Sequence, residues 1–148
     1  MSSIATERLV LKPTTVEDAA FILELLNSPK WLKFIGDRNV KSIAEAEAYI
    51  KERMLPQFER LGFTNNVVIR KADGKKIGAC GLYDRDGLEG IDIGFAFLPG
   101  FEGQGYGYES ASALLQTAFK DYKLNRVIAI TSKHNMPSQN LLIKLKSK

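Results

Sequence analysis

The sequence predicts an α+β fold, a mixed and mostly antiparallel sheet with helices on both faces. Three observations carry it. Ile91 to Phe97 alternate large apolar residues with small or acidic ones, the period-2 pattern of a strand. Beyond a glycine-rich stretch, Ala111, Leu114, Leu115, Ala118, Phe119 and Tyr122 recur at three- and four-residue intervals and mark one helical face. Arg126 to Thr131 then reads as a second strand, and a helix joining two strands of one sheet makes a right-handed crossover that leaves them parallel.

The remaining elements follow in chain order. Arg8 to Lys12 reads as a first strand, stopped by Pro13. Thr14 with Glu17, or Thr15 with Asp18, can cap the next helix, whose Phe21, Ile22, Leu25 and Leu26 form an apolar face ending before Pro29. Ser42 and Glu45 have capping-box spacing and open a helix running towards Leu61-Gly62, with a bend expected at Pro56. Two helices therefore precede the main sheet. Phe63 to Lys71 and Lys75 to Tyr83 pair as antiparallel strands around Asp73-Gly74, and Asp86 to Gly90 turn the chain into the Ile91 strand. A last helix starts at Asn135, where Pro137 falls in the first turn and is tolerated.

Composition narrows the function classes. With 148 residues, 45% of them hydrophobic and 26% charged, the chain suits one domain, 1–148, with a sizeable core. It has no apolar run suited to a signal peptide or a membrane span, so a soluble cytoplasmic protein is expected, with no membrane partner. The single cysteine, Cys80, excludes an internal disulfide and supports no metal cluster; within a strand it reads as a buried, inert thiol. The formal charge of +4 comes from dispersed basic residues without a basic-aromatic stripe, which argues against nucleic acid. Lys71, Lys75 and Lys76 read as the solvated flanks of a hairpin tip.

The chemistry concentrates in Leu98 to Gly107, which packs four glycines into ten residues between the strand and the helix. Glycine lets main-chain N–H groups approach a ligand, and a helix start adds unpaired donors and the positive end of its macrodipole. Such a unit suits an anion, most often a phosphate. It is not a nucleotide P-loop, because Gly105 and Gly107 are followed by Tyr106 and Tyr108 rather than by Lys and Ser or Thr. It matches a dinucleotide fingerprint only at Gly103 and Gly105, with Tyr108 at the third position. A tight turn without a ligand stays open as the plain alternative.

Gly90 to Phe95, Phe101 to Ala111 and Asn135-Met136-Pro137-Ser138 together resemble the GNAT superfamily of acyl-CoA-dependent N-acetyltransferases. The branch most resembled is the one that includes the RimJ/RimL ribosomal-protein acetyltransferases. Thr6 to Pro13 and Phe34 to Arg38 resemble it too, so the likeness spans nearly the whole chain. It implies the GNAT fold, acetyl-CoA as cosubstrate without a metal, and direct acetyl transfer to a primary amine, either a protein N-terminus or a small molecule. The alternative is a non-catalytic CoA-binding or interaction domain.

The resemblance also assigns roles. The pyrophosphate of acetyl-CoA is expected on main-chain N–H groups of Glu102, Gly103, Gln104, Gly105, Tyr106, Gly107 and Tyr108. The family's usual residue at the first of these positions is Gln or Arg, so Glu102 should weaken the site. The pantetheine arm is expected along Phe95, Ala96 and Phe97, with Gly94 and Ala96 leaving the backbone unobstructed and an N–H near Phe95 placed for the oxyanion. Asp92 stands where many members carry an acid and is either the base for the amine or a solvated or hydrogen-bonded strand residue. Many members protonate the thiolate with a Tyr where this chain has Leu142; Ser138 matches the Ser used in the resembled branch, and Asn135 is the expected cofactor contact. Helix capping is the alternative for both. The acceptor is expected near Trp31, Phe34, Asp37 and Arg38, and near Tyr83 and Arg85. His134 receives no role.

In the family the last helix leads through Lys-Leu-Gly-Phe into two more strands, whereas this sequence ends Lys144-Leu145-Lys146-Ser147-Lys148. The resemblance thus implies a truncated form with an open sheet edge, weakened or absent activity and a tendency to pair with a second copy there.

Overall fold

The computed structural model describes residues 3–34, 36–84, 91–120 and 127–129. Six strands form one sheet in the order β1-β2-β3-β4-β5-β6: β1 is Ile4–Ala5, β2 Leu9–Pro13, β3 Asn65–Arg70, β4 Lys75–Tyr83, β5 Ile91–Phe97 and β6 Val127–Ala129. All neighbours are antiparallel except β5 and β6, which run parallel from Ile91↔Val127 to Ile93↔Ala129. The expected mixed sheet, with its β5 and β6 strands parallel, is therefore present. β5 continues through Gly94–Phe97, past the last described residue of β6.

Helices cover both faces, as the patterning requires. Helix α5, Tyr106–Lys120, lays Tyr106, Ala111, Leu114 and Ala118 over Leu9, Leu11, Val68, Cys80, Leu82, Ile93 and Phe97. Opposite, α1 (Ala19–Leu26) and α3 (Ile43–Arg53) bring Phe21, Ile22, Leu25, Ala46 and Ile50 onto Val67, Ala79 and Ala96. Each leucine sealed here contributes about 1.5–3 kcal/mol by leaving water. Phe119, expected on the buried face of α5, is 49% exposed, because the covered stripe runs instead through Tyr106, Ser110, Ala111, Leu114 and Ala118.

Other expectations change in detail. The expected first strand is β2, which does end at Pro13, though the proline is its last residue, paired with Asn66, and a short β1 precedes it at the sheet edge. The Thr15–Asp18 box is the one that forms, yet it caps a 3-10 turn over Val16–Asp18, with α1 starting only at Ala19. A short helix, α2 (Pro29–Phe34), had no clear pattern in sequence. The expected bend at Pro56 is a break: α3 ends, α4 (Leu55–Leu61) begins with that proline in its first turn, and Gly62 closes it at φ 84°. Four α-helices thus precede β3, where two were expected.

Asp18 fixes the capping turn to the sheet. It is 1% exposed and accepts from Lys12 Nζ at 2.9 Å, Lys76 Nζ at 2.6 Å and the Thr15 N–H at 2.9 Å. Burial pushes its pKa up, but the bonds from Lys76, Thr15 and Lys12 outweigh it and hold the carboxyl below its ordinary value. Lys76 is accordingly not a free hairpin flank. Among the described residues no helix is long and apolar enough to cross a membrane.

Candidate functional site

The glycine stretch links the end of β5 to the start of α5. Gly100, Gly103 and Gly105 have φ of 92°, 72° and 83°, a left-handed region that disfavours residues with a Cβ. A side chain at Gly100 or Gly103 would meet nothing within 4 Å, so backbone conformation rather than crowding accounts for glycine there. Within the loop, Gln104 Nε2 donates to the Gly100 carbonyl at 2.7 Å, and the Glu109 N–H donates to the Gly105 carbonyl at 3.0 Å as α5 begins. Tyr106, Gly107 and Tyr108 form the first turn of α5, whose leading N–H groups have no partner within the helix.

Cationic groups gather round this helix start. Lys30 of α2 pairs with Glu102. Arg8 Nε bonds Glu109 at 2.7 Å, its guanidinium lies 4.4 Å from the centre of the Tyr106 ring, and Arg8 Nη1 reaches the Gln104 carbonyl at 3.1 Å. Arg70, itself paired with Asp73 at 2.6 Å, and Lys75 stand 5.0 and 5.1 Å from the centre of the Phe101 ring. The two acids of the loop are therefore each matched by a base. Partial burial would raise the Glu109 pKa, but bonds from Thr6 and Arg8 prevail and keep it below the usual value. Open space beside left-handed glycines and a helix start, with Lys75 as the one of these four cations in excess of the acids beside them, together fit an anionic diphosphate.

The strand before the loop separates backbone from side-chain roles. Phe95 and Phe97 turn towards α5, their rings 6.3 Å apart, and Phe97 fills the space beside Gly78, where a Cβ would come within 2.4 Å of its ring. Only their main-chain groups are left to serve a ligand. Ala96 faces the opposite cluster. Gly94 does not leave its face open: the Tyr83 ring crosses it, 3.3 Å from where a Cβ would stand. Gly81, paired with Gly94, is covered more tightly by the same ring. Two facing glycines make a flat seat for Tyr83, whose hydroxyl donates to Asn65 Oδ1 at 2.6 Å. Asn65 Nδ2 in turn donates to Thr14 Oγ1 at 2.8 Å.

Asp92 lies beside Tyr83 in the β4–β5 register and opposite Ile128 in β6. It is 3% exposed, so the solvated alternative for it falls away. Trp31, on α2, packs partly against the α1–α3 core, and its indole N–H is buried with no hydrogen-bond partner among the described residues. Phe34 ends α2; Arg38 is exposed in the segment after it. Asn135, Ser138, His134, Leu142 and Arg85 lie outside the described residues. Cys80 is wholly buried, and burial pushes its thiol up to about 12, an inert state as expected. No group of three or more potential metal ligands occurs among the described residues. No local pattern in the sequence points to Arg8 or Lys30, which meet the loop from distant positions, or to the pairing of Arg8 with Glu109 in the first turn of α5.

Comparison with known proteins decides the family. The model of the acetyltransferase (GNAT) domain matches residues 8–148. The chain belongs to the GNAT acetyltransferase family. This acetyltransferase is 28% identical over 142 residues to the uncharacterized N-acetyltransferase YnaD of Bacillus subtilis (strain 168), covering 96% of this chain and 80% of that protein. Among solved structures it resembles a GNAT-family acetyltransferase from Bacillus anthracis, with a TM-score of 0.78 and 25% identity over 97% of this chain and 82% of the other. Its fold also matches RimL, a ribosomal L7/L12 alpha-N-protein acetyltransferase solved with coenzyme A, with a TM-score of 0.79, 17% identity, and 97% and 82% coverage.

Proposed function

We propose that this acetyltransferase moves the acetyl group of acetyl-CoA to a primary amine, by direct attack while both are bound. The observation that carries the reading is the left-handed glycine loop opening α5 among Arg8, Lys30, Arg70 and Lys75. When bound, acetyl-CoA supplies an activated thioester carbonyl. The main-chain donors of Gly103 to Tyr108 hold its diphosphate, and the β5 backbone from Gly94 to Phe97 aligns the arm and offers an N–H near Phe95 to the developing oxyanion.

Asp92 takes the proton from the amine, directly or through water. An α-amino group, with a reference pKa of about 7.7–8.0, needs far less help than a lysine at about 10.4, which favours a protein N-terminus or a similarly weak base. Ser138 protonates the thiolate and Asn135 contacts the cofactor, a reading supported by their match to the family's motif. Trp31, Phe34, Arg38 and Tyr83 shape the acceptor site. The test is incubation with acetyl-CoA and a panel of small amines and N-terminal peptides. Thiol release matched by a 42-Da mass gain, about one acetyl group, on an amine is expected; cofactor binding without any transfer across the panel would favour the non-catalytic domain instead.

A further inference from the structure

We infer that Arg8 is a positioning residue for the cofactor loop: the turn between β1 and β2 sets the shape and charge of the α5 start from 101 residues away in sequence. The inference rests on the reading of that loop as the acetyl-CoA diphosphate site. Glu109 sits in the first turn of α5, where a carboxylate is favourable to the helix but opposes any second anion arriving at the same N–H groups. Every described partner of that carboxylate comes from the β1–β2 turn. Thr6 Oγ1 donates to Oε2 at 2.5 Å, the Arg8 main-chain N–H to Oε2 at 2.8 Å, and Arg8 Nε to Oε1 at 2.7 Å.

The same guanidinium does two further things. Nη1 caps the outward carbonyl of Gln104 at 3.1 Å, and the plane lies over Tyr106. Turning the Gln104 carbonyl towards Arg8 fixes that peptide unit, and with it the direction of the adjoining Gly105 N–H. Gly105 is hemmed by the same group, since a Cβ there would stand 3.3 Å from Arg8 Nη2. Arg8 thus neutralises the acid in the first turn of α5 and fixes the Gln104–Gly105 peptide unit beside it. Lysine could supply the charge, but not the fork that reaches Glu109 and Gln104 together.

Calorimetric titration of the full chain with acetyl-CoA tests this, using wild type, Arg8→Ala, Arg8→Lys, Glu109→Gln and the Arg8→Ala/Glu109→Gln double variant. If wild type does not bind, the loop assignment itself fails, and the result is distinguishable from failure of the inference. With wild type binding, Arg8→Ala should weaken affinity about tenfold, a loss of about 1.4 kcal/mol. Arg8→Lys should fall between the two, and Glu109→Gln should restore part of the Arg8→Ala loss by removing the exposed acid. Because some variants could lose packing, melting curves and far-ultraviolet circular dichroism accompany each titration. Wild-type affinity in a folded Arg8→Ala protein overturns the inference, as does a loss of affinity that Glu109→Gln leaves wholly unrecovered.

Discussion

Gly105→Ala is the sharpest perturbation of the loop. Gly105 has φ of 83°, and an alanine in that region costs about 1–2 kcal/mol. Its Cβ would also stand 3.3 Å from Arg8 Nη2, so the guanidinium must withdraw by a few tenths of an ångström and loosen its 3.1 Å bond to the Gln104 carbonyl. Gly103, Gln104 and Gly105 are all exposed, so once the Arg8 bond is loosened little else holds the loop in a strained form and the free protein relaxes away from it. Binding must then restore the strained form, and the strain is read as lost affinity, roughly 5–30-fold, rather than as lost stability. Gly103→Ala is the internal control: φ is 72° with nothing within 4 Å, so it carries the backbone strain alone and should lose less. Calorimetry with acetyl-CoA gives the affinities, and thermal melts confirm the fold. Unchanged affinity in a folded Gly105→Ala protein would refute the reasoning.

Three further predictions use other parts of the molecule. Asp92→Asn, isosteric at a buried position, should lower turnover roughly 10²-fold at unchanged KM for acetyl-CoA; wild-type turnover would remove Asp92 from the mechanism. Glu102→Gln removes the acid paired with Lys30 and should tighten acetyl-CoA binding a few-fold at low salt, with the gain shrinking as salt rises; equal affinities at low salt would contradict the charge argument. The folded Asp18 pKa lies below its ordinary 3.8, so its contribution is fully present above about pH 4 and is lost as pH falls through the folded value. Asp18→Asn should therefore melt lower than wild type at neutral pH, with the gap closing on acidification below pH 4, and a gap independent of pH would assign the loss to packing alone.

The sheet and the helix after the glycine loop were legible because their signals are local: alternation in Ile91–Phe97, a 3.6-residue stripe in α5, and a glycine at Gly74 with φ of 69° between β3 and β4. Pro56 announced a disruption, but periodicity could not say whether the helix bends or restarts. α2 is six residues long and carries no full apolar stripe, so it left no pattern. The candidate site divides in the same way. Glycines and the helix start advertise a backbone site in sequence, whereas Arg8, Lys30 and the Tyr83–Asn65–Thr14 chain are assembled by tertiary structure. Gly81 and Gly94 show the limit well. In sequence Gly94 reads as leaving the strand backbone unobstructed, and only its pairing in register with Gly81 reveals a seat for an aromatic ring.

The central claim is that the main-chain N–H groups at the start of α5 hold the diphosphate of acetyl-CoA. Hydrogen–deuterium exchange with and without saturating coenzyme A measures those groups one segment at a time. If they hold the diphosphate, exchange slows most in Gly103 to Tyr108, with a smaller effect along Gly94 to Phe97. Protection confined to other segments, with Gly103 to Tyr108 exchanging as fast as in the free protein, would contradict it.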